Sequence, residues 1–83
     1  MKPRIVTPVA WARWGWMVES VAERHDVGIQ DILSATKERV EVSRARHDLM
    51  SCLWGSGLAF AEIGRLLGRD HTTVMYGVRR ALD

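Results

Sequence analysis

Apolar positions recur at helical spacing in five stretches of this chain. The clearest lies within residues 60–80, where Ile63, Leu66 and Leu67 share one side of a short helix and Glu62 and Arg65 fall on the other. Gly68 ends that helix, because glycine takes the left-handed conformation that helix ends favour. Asp70 then stands as an N-cap whose carboxylate suits the exposed N–H groups and positive dipole end of the next helix. A second helix is predicted over His71–Leu82, with Val74, Val78 and Ala81 or Leu82 in one buried stripe. That phase turns His71, Thr72, Thr73 and Tyr76 outward and leaves Arg79 and Arg80 at the negative end of the dipole. Small Gly64 lets the two helices approach, and Ile63 and Val74 pack between them.

Upstream, Thr7 and Pro8 read as an N-cap and first helical position, opening a helix that runs to about His25. Its apolar side is Val9, Ala12, Trp16, Val18 and Val21, which Trp11 and Trp14 extend around the helix. Asp26, Val27 and Gly28 stop it. A short helix over 29–34 points Ile29, Ile32 and Leu33 inward, and residues 35–42 form a basic loop. A middle helix over 43–54 buries Leu49, Met50, Leu53 and Trp54, with Arg44, Arg46, His47 and Asp48 around the rest. Gly55, Ser56 and Gly57 turn the chain into the final helix pair. Residues 1–6 read as a short frayed arm carrying Lys2 and Arg4. The expected fold is therefore all-α, a single small helical domain over residues 1–83 with a helix-turn-helix at 60–82.

Composition narrows the function classes. An apolar fraction of 47% over 83 residues supports one packed core and argues against disorder. The single cysteine, Cys52, excludes an internal disulfide and reads as a core residue of the middle helix. His25, His47 and His71 are scattered, so no metal site is expected. The composition suits a reducing, cytoplasmic setting, and neither a secretory signal nor a membrane span is apparent. Net charge is only +2, but it is unevenly placed: residues 1–35 carry four basic and four acidic groups, residues 36–83 eight and six.

The first turn of the last helix, Asp70, His71, Thr72 and Thr73, has two readings. It is either a capping cluster on a solvated turn or a set of base-reading side chains. Threonine offers a hydroxyl and a methyl, histidine donates to or accepts from a base edge, and aspartate accepts from a cytosine amino group. A recognition helix reads bases from this end.

Residues 68–74, GRDHTTV, preceded by Glu62, Ile63 and Gly64, resemble the C-terminal DNA-binding domain of the bacterial replication initiator DnaA, and the likeness extends back to about Val21. The resemblance implies an all-helical domain that recognises a short asymmetric duplex element, the DnaA box. It implies major-groove base contacts for Asp70, His71 and Thr72, with Thr73 and Arg69 touching bases or phosphates beside them. Arg44, Arg46 and His47 stand where the family has an Arg-x-Arg-Gln pattern, which makes Arg46 the leading candidate there for a backbone or base-edge contact. Lys37 or Arg39 occupies the place of the family's minor-groove arginine. The chain departs from the family in the acidic Glu38 and Glu41 that interrupt this loop, in a turn with Gly68 as its one glycine, and in Ala59 and Ala61 where a polar residue and proline usually open the helix.

The expected function is sequence-specific binding of double-stranded DNA by a small, non-enzymatic, nucleoid-associated regulator of transcription or replication initiation, from a bacterium or phage. With no glycine-rich phosphate loop, neither a nucleotide nor another cofactor is expected. The second reading is an adaptor whose tryptophan-rich first helix forms a homodimer or binds a protein partner through Trp11 and Trp14, with weak or absent DNA contact. The alternative for those rings is the core itself.

Overall fold

The computed structural model describes residues 2–34 and 39–83. A 3₁₀ turn at Arg4–Val6 leads into α1 (Pro8–His25), followed by α2 (Ile29–Leu33), α3 (Val40–Gly55), α4 (Phe60–Leu67) and α5 (His71–Leu82). No strand occurs among the described residues.

Each of the other four helices packs on α3. Its buried positions Val42, Ala45, Leu49, Met50 and Leu53 are three or four residues apart except for the adjacent pair, so they form one continuous stripe. Val18 and Val21 of α1, Ile32 of α2, Ile63 and Leu67 of α4, and Val74 and Val78 of α5 close the core around it. Gly77 is what lets α5 approach so closely, because a Cβ there would run into the Met50 thioether.

The helix ends follow local chemistry. Thr7 Oγ1 accepts the Ala10 N–H at 3.4 Å, and Pro8 takes the first position of α1. Between α4 and α5, Gly68 adopts φ 66° and the Arg69 N–H closes on the Gly64 carbonyl at 2.8 Å. Although Ala59 offers no side-chain acceptor, the Glu62 carboxylate reaches back to its N–H at 3.1 Å, supplying half of a capping box.

Four departures from the sequence-based expectations concern the helix bounds and the apolar core. First, α3 begins at Val40 rather than near residue 43, because buried Val42 extends the apolar stripe by a turn. Second, the N-terminal segment is not a frayed arm, since Ile5 is fully buried and anchors the 3₁₀ turn against α1 and α4. Third, α1 is rotated relative to the expected phase. Met17, Val18, Val21 and Ala22 face the core, Trp11 and Trp14 pack half-buried at its margin, and Val9 and Trp16 are exposed. The Trp16 indole Nε1 donates to the Arg13 carbonyl at 3.1 Å, so its polar atom is satisfied on its own helix. Fourth, Trp54 is not on the buried side of α3; it is partly exposed and stacks on Phe60, with ring centroids 6.2 Å apart.

On α1's contact with α3, Asp48 Oδ2 lies 2.8 Å from His25 Nε2 and 3.1 Å from Arg24 Nη2. Cys52 beside them is half-buried at the edge of the core. Burial, reinforced by the Asp48 charge, pushes its thiol above the ordinary value, the direction expected of a packing cysteine.

Candidate nucleic-acid interface

The exposed side of α5 begins with the polar turn singled out in the sequence. Asp70 occupies the N-cap position with extended backbone, but its carboxylate makes no capping hydrogen bond. Instead Asp70 Oδ1 stands 3.1 Å from His71 Nδ1, both side chains about two-thirds exposed. The Asp70 carboxylate can only accept, whereas each ring nitrogen of His71 donates or accepts according to where the proton sits. The second Asp70 oxygen is also an acceptor. Thr72 and Thr73 follow, exposed, while Val74 is buried beneath them. The turn thus presents a carboxylate, an imidazole and two hydroxyl–methyl side chains from a helix start packed closely against α4. A Cβ on Gly64 would come within 2.5 Å of the Arg69 carbonyl oxygen, which shows how closely the two helices meet there.

The basic residues separate into two groups. Arg46 is 6% exposed and lies within the fold. Its Nε donates to the Ile32 carbonyl at 2.8 Å, and its Nη2 donates to the carbonyls of Asp31 at 2.8 Å and Ser34 at 3.0 Å. These acceptors lie at the C-terminal end of α2, where carbonyls lack full helical partnering and a cation suits the dipole; the Asp31 carbonyl also takes the Ser34 N–H at 3.3 Å. The expectation that Arg46 is the leading DNA contact on this helix is therefore corrected: its guanidinium is a buried clamp with its donors turned inward. Arg69 joins it, with Nη2 donating to the same Ser34 carbonyl at 2.7 Å. Two cations from α3 and from the α4–α5 turn thus fix the chain at Ser34, immediately before the predicted basic loop.

Arg44 is exposed on the other side of α3, and Arg39 is exposed at its N-cap, with loose approaches of 3.9 Å to both Asp31 and Glu41. Lys37 lies outside the described residues. His47 is half-buried with its ring edge-on to Tyr76, centroids 6.4 Å apart, and the Arg80 guanidinium lies 5.8 Å from the centre of the same tyrosine ring. A cleft of about 460 Å³ runs between these helices, lined by Val40, Ser43, Arg44, His47, Arg80 and Asp83. Arg80 and Tyr76, not singled out as site residues from the sequence, join this candidate surface. The signal was present in the phase of α5, since both lie on the side opposite Val74 and Val78.

Among the described residues no group of three or more His, Cys, Asp or Glu side chains is placed to hold a metal. Nor is any described helix long and apolar enough to cross a membrane.

The family model for the bacterial DnaA protein helix-turn-helix matches residues 17–81, which takes in every helix from the middle of α1 onward and leaves the tryptophan-bearing start of α1 outside. No solved structure matches the chain.

Proposed function

The chain belongs to the bacterial DnaA helix-turn-helix family, a family of DNA-binding domains, and from that premise we propose that it binds duplex DNA with sequence preference, reading bases through Asp70, His71 and Thr72. The observation that carries this reading is the exposed polar first turn of α5, held by the close α4–α5 contact with hydrogen-bonding groups directed away from the fold. Such a turn entering a major groove places acceptors opposite the amino groups of adenine or cytosine and a threonine methyl opposite that of thymine. Thr73 in the turn, Arg44, His47 and Arg80 toward the C-terminal end of α5, and Arg39 at the start of α3 offer polar and cationic groups suited to phosphates, which set register without carrying sequence. Lys37 is proposed for the same role. Arg46 and Arg69 act at one remove, by fixing the chain beside the reading turn.

A DnaA-box-like asymmetric element is the proposed site. These 83 residues contain no glycine-rich phosphate loop, so what they do at such a site they do by occupying it, as a regulator of transcription or of replication initiation.

The test is selection of bound duplexes from a random pool, followed by affinity measurements for His71→Ala and Thr72→Ala. Each substitution is expected to weaken the preferred site by about 1–3 kcal/mol and to relax preference at the base it reads. Binding of every sequence at wild-type strength by both variants would remove the reading role.

A further inference from the structure

A groove of about 440 Å³ lies away from the reading turn, lined by Arg4, Arg13, Trp14, the Ser56–Gly57–Leu58 turn, and Glu62, Arg65 and Leu66 of α4. Its cations come from three separate elements: the 3₁₀ turn, α1 and α4. Among the described residues neither Arg4 nor Arg65 is ion-paired, and Arg13 meets the Trp14 ring, 6.0 Å from its centre. The one carboxylate in the groove, Glu62, is engaged by the Ala59 N–H. Three arginines against one glutamate leave a local excess of two positive charges. Beside them Trp14, Leu58 and Leu66 are half-buried, packed on the core with part of each side chain still accessible.

The groove faces away from the duplex-reading surface. Gly64 is the position of α4 that meets the backbone of Arg69 and His71 at the start of α5. Glu62 and Leu66 each lie about 160° around α4 from Gly64, on its far side. In addition, α1 packs on α3 and the 3₁₀ turn, whereas α5 packs on α3 and α4. A duplex seated on the first turn of α5 leaves this groove open.

We propose that the groove docks an acidic protein segment carrying an apolar side chain, with Arg4, Arg13 and Arg65 meeting its carboxylates and Trp14, Leu58 and Leu66 receiving the apolar group. Charge complementarity selects an anionic partner. Guanidinium groups match carboxylates in bidentate geometry, and the apolar wall favours a peptide over a phosphodiester backbone, which has nothing to place against it. Two of the groove's three cations, Arg4 and Arg13, and its aromatic residue, Trp14, lie in residues 1–16, outside the family match, so the family match does not account for this surface. The proposal stands independently of base reading by α5.

The experiment titrates the isotope-labelled full chain with a short peptide rich in Asp and Glu around a Leu–Phe pair, and separately with a short duplex lacking the preferred site. The expected result is saturable peptide binding with amide and indole shifts centred on Trp14, Leu58 and Leu66. Arg13→Glu and Arg65→Glu should each weaken it about tenfold or more while leaving duplex affinity within about twofold. A peptide with Ser–Ser in place of Leu–Phe should bind more weakly. The proposal is overturned if no peptide binds, if the charge reversals leave peptide binding unchanged, or if the Ser–Ser peptide binds as well as the parent. It is overturned equally if the duplex shifts the groove and loses more affinity than the peptide on charge reversal, which would make the groove a nucleic-acid surface.

Discussion

Arg44 and Arg46 are two residues apart on α3, and their surroundings are opposite. Arg44 projects into solvent beside α5. Arg46 lies inside the fold with its guanidinium on three carbonyl oxygens of the α2 end. The same contrast holds between the regions they belong to. The clamp around Ser34 has its donors and acceptors paired with one another, whereas the first turn of α5 leaves its polar atoms directed outward. Residue type and motif position alone assign both arginines to DNA. Burial separates them, because a guanidinium held by several hydrogen bonds inside the fold has few donors left for a phosphate and cannot leave without breaking those bonds.

The largest expected effect breaks the clamp. Arg46→Ala leaves the carbonyls of Asp31, Ile32 and Ser34 without this donor and opens a void beside α3. It should destabilise the fold by about 2–4 kcal/mol, read as a lower midpoint in urea unfolding. Arg44→Ala should stay within about 0.5 kcal/mol of wild type in the same measurement and instead weaken duplex binding, with a shallower salt dependence. If the two variants were equally stable, the division between clamp and contact would fail.

A smaller effect tests the join between the regions. Gly64→Ala places a methyl 2.5 Å from the Arg69 carbonyl oxygen, a backbone atom that a rotamer change cannot move aside. The α4–α5 pair must spread, at about 1–3 kcal/mol. Because Arg69 sits in that turn and also holds Ser34, stability and preference for the selected site should fall together. His71→Ala should alter only the second.

Much of this was legible in the sequence. Thr7-Pro8, Gly68 and the stripe of Val74 and Val78 placed α1, α4 and α5, because caps, left-handed glycines and apolar spacing act locally. The close approach at Gly64 was also readable, as it needs only a small residue facing a tight turn. Arg46 was harder, although its position carried a signal: Val42, Ala45, Leu49 and Leu53 define the buried stripe, and residue 46 falls on it. An arginine on an apolar stripe reads as a surface residue until the acceptors it reaches are known, and these come from a helix end 12 to 15 residues away in sequence. Burial of Ile5 and exposure of Trp16 depend in the same way on tertiary partners. Ile5 packs where α1 and α4 meet the 3₁₀ turn, and the phase of α1 is set by which of its apolar faces α3 can cover.

The smallest effect sharpens the exposed side of the comparison. Arg80 lies nine residues after His71 on α5, about 13 Å along the axis, whereas the major groove is about 8.5 Å deep. A helix whose first turn reaches the bases therefore carries Arg80 back to the level of the sugar–phosphate wall. There it shares a cleft with Arg44 and His47, and the Tyr76 ring lies against both His47 and Arg80. Arg80→Gln should lower the slope of log affinity against log salt by about one, equally for preferred and unrelated duplexes. Tyr76→Ala, which removes the ring packed against His47 and the Arg80 guanidinium, should weaken binding by about 0.5–1 kcal/mol, while Tyr76→Phe keeps the ring and should bind as wild type. An Arg80→Gln variant with an unchanged salt slope would confine the interface to the first turn of α5 and the start of α3. A variant that instead shifted base preference would mean that α5 lies along the groove with its C-terminal half reading sequence as well.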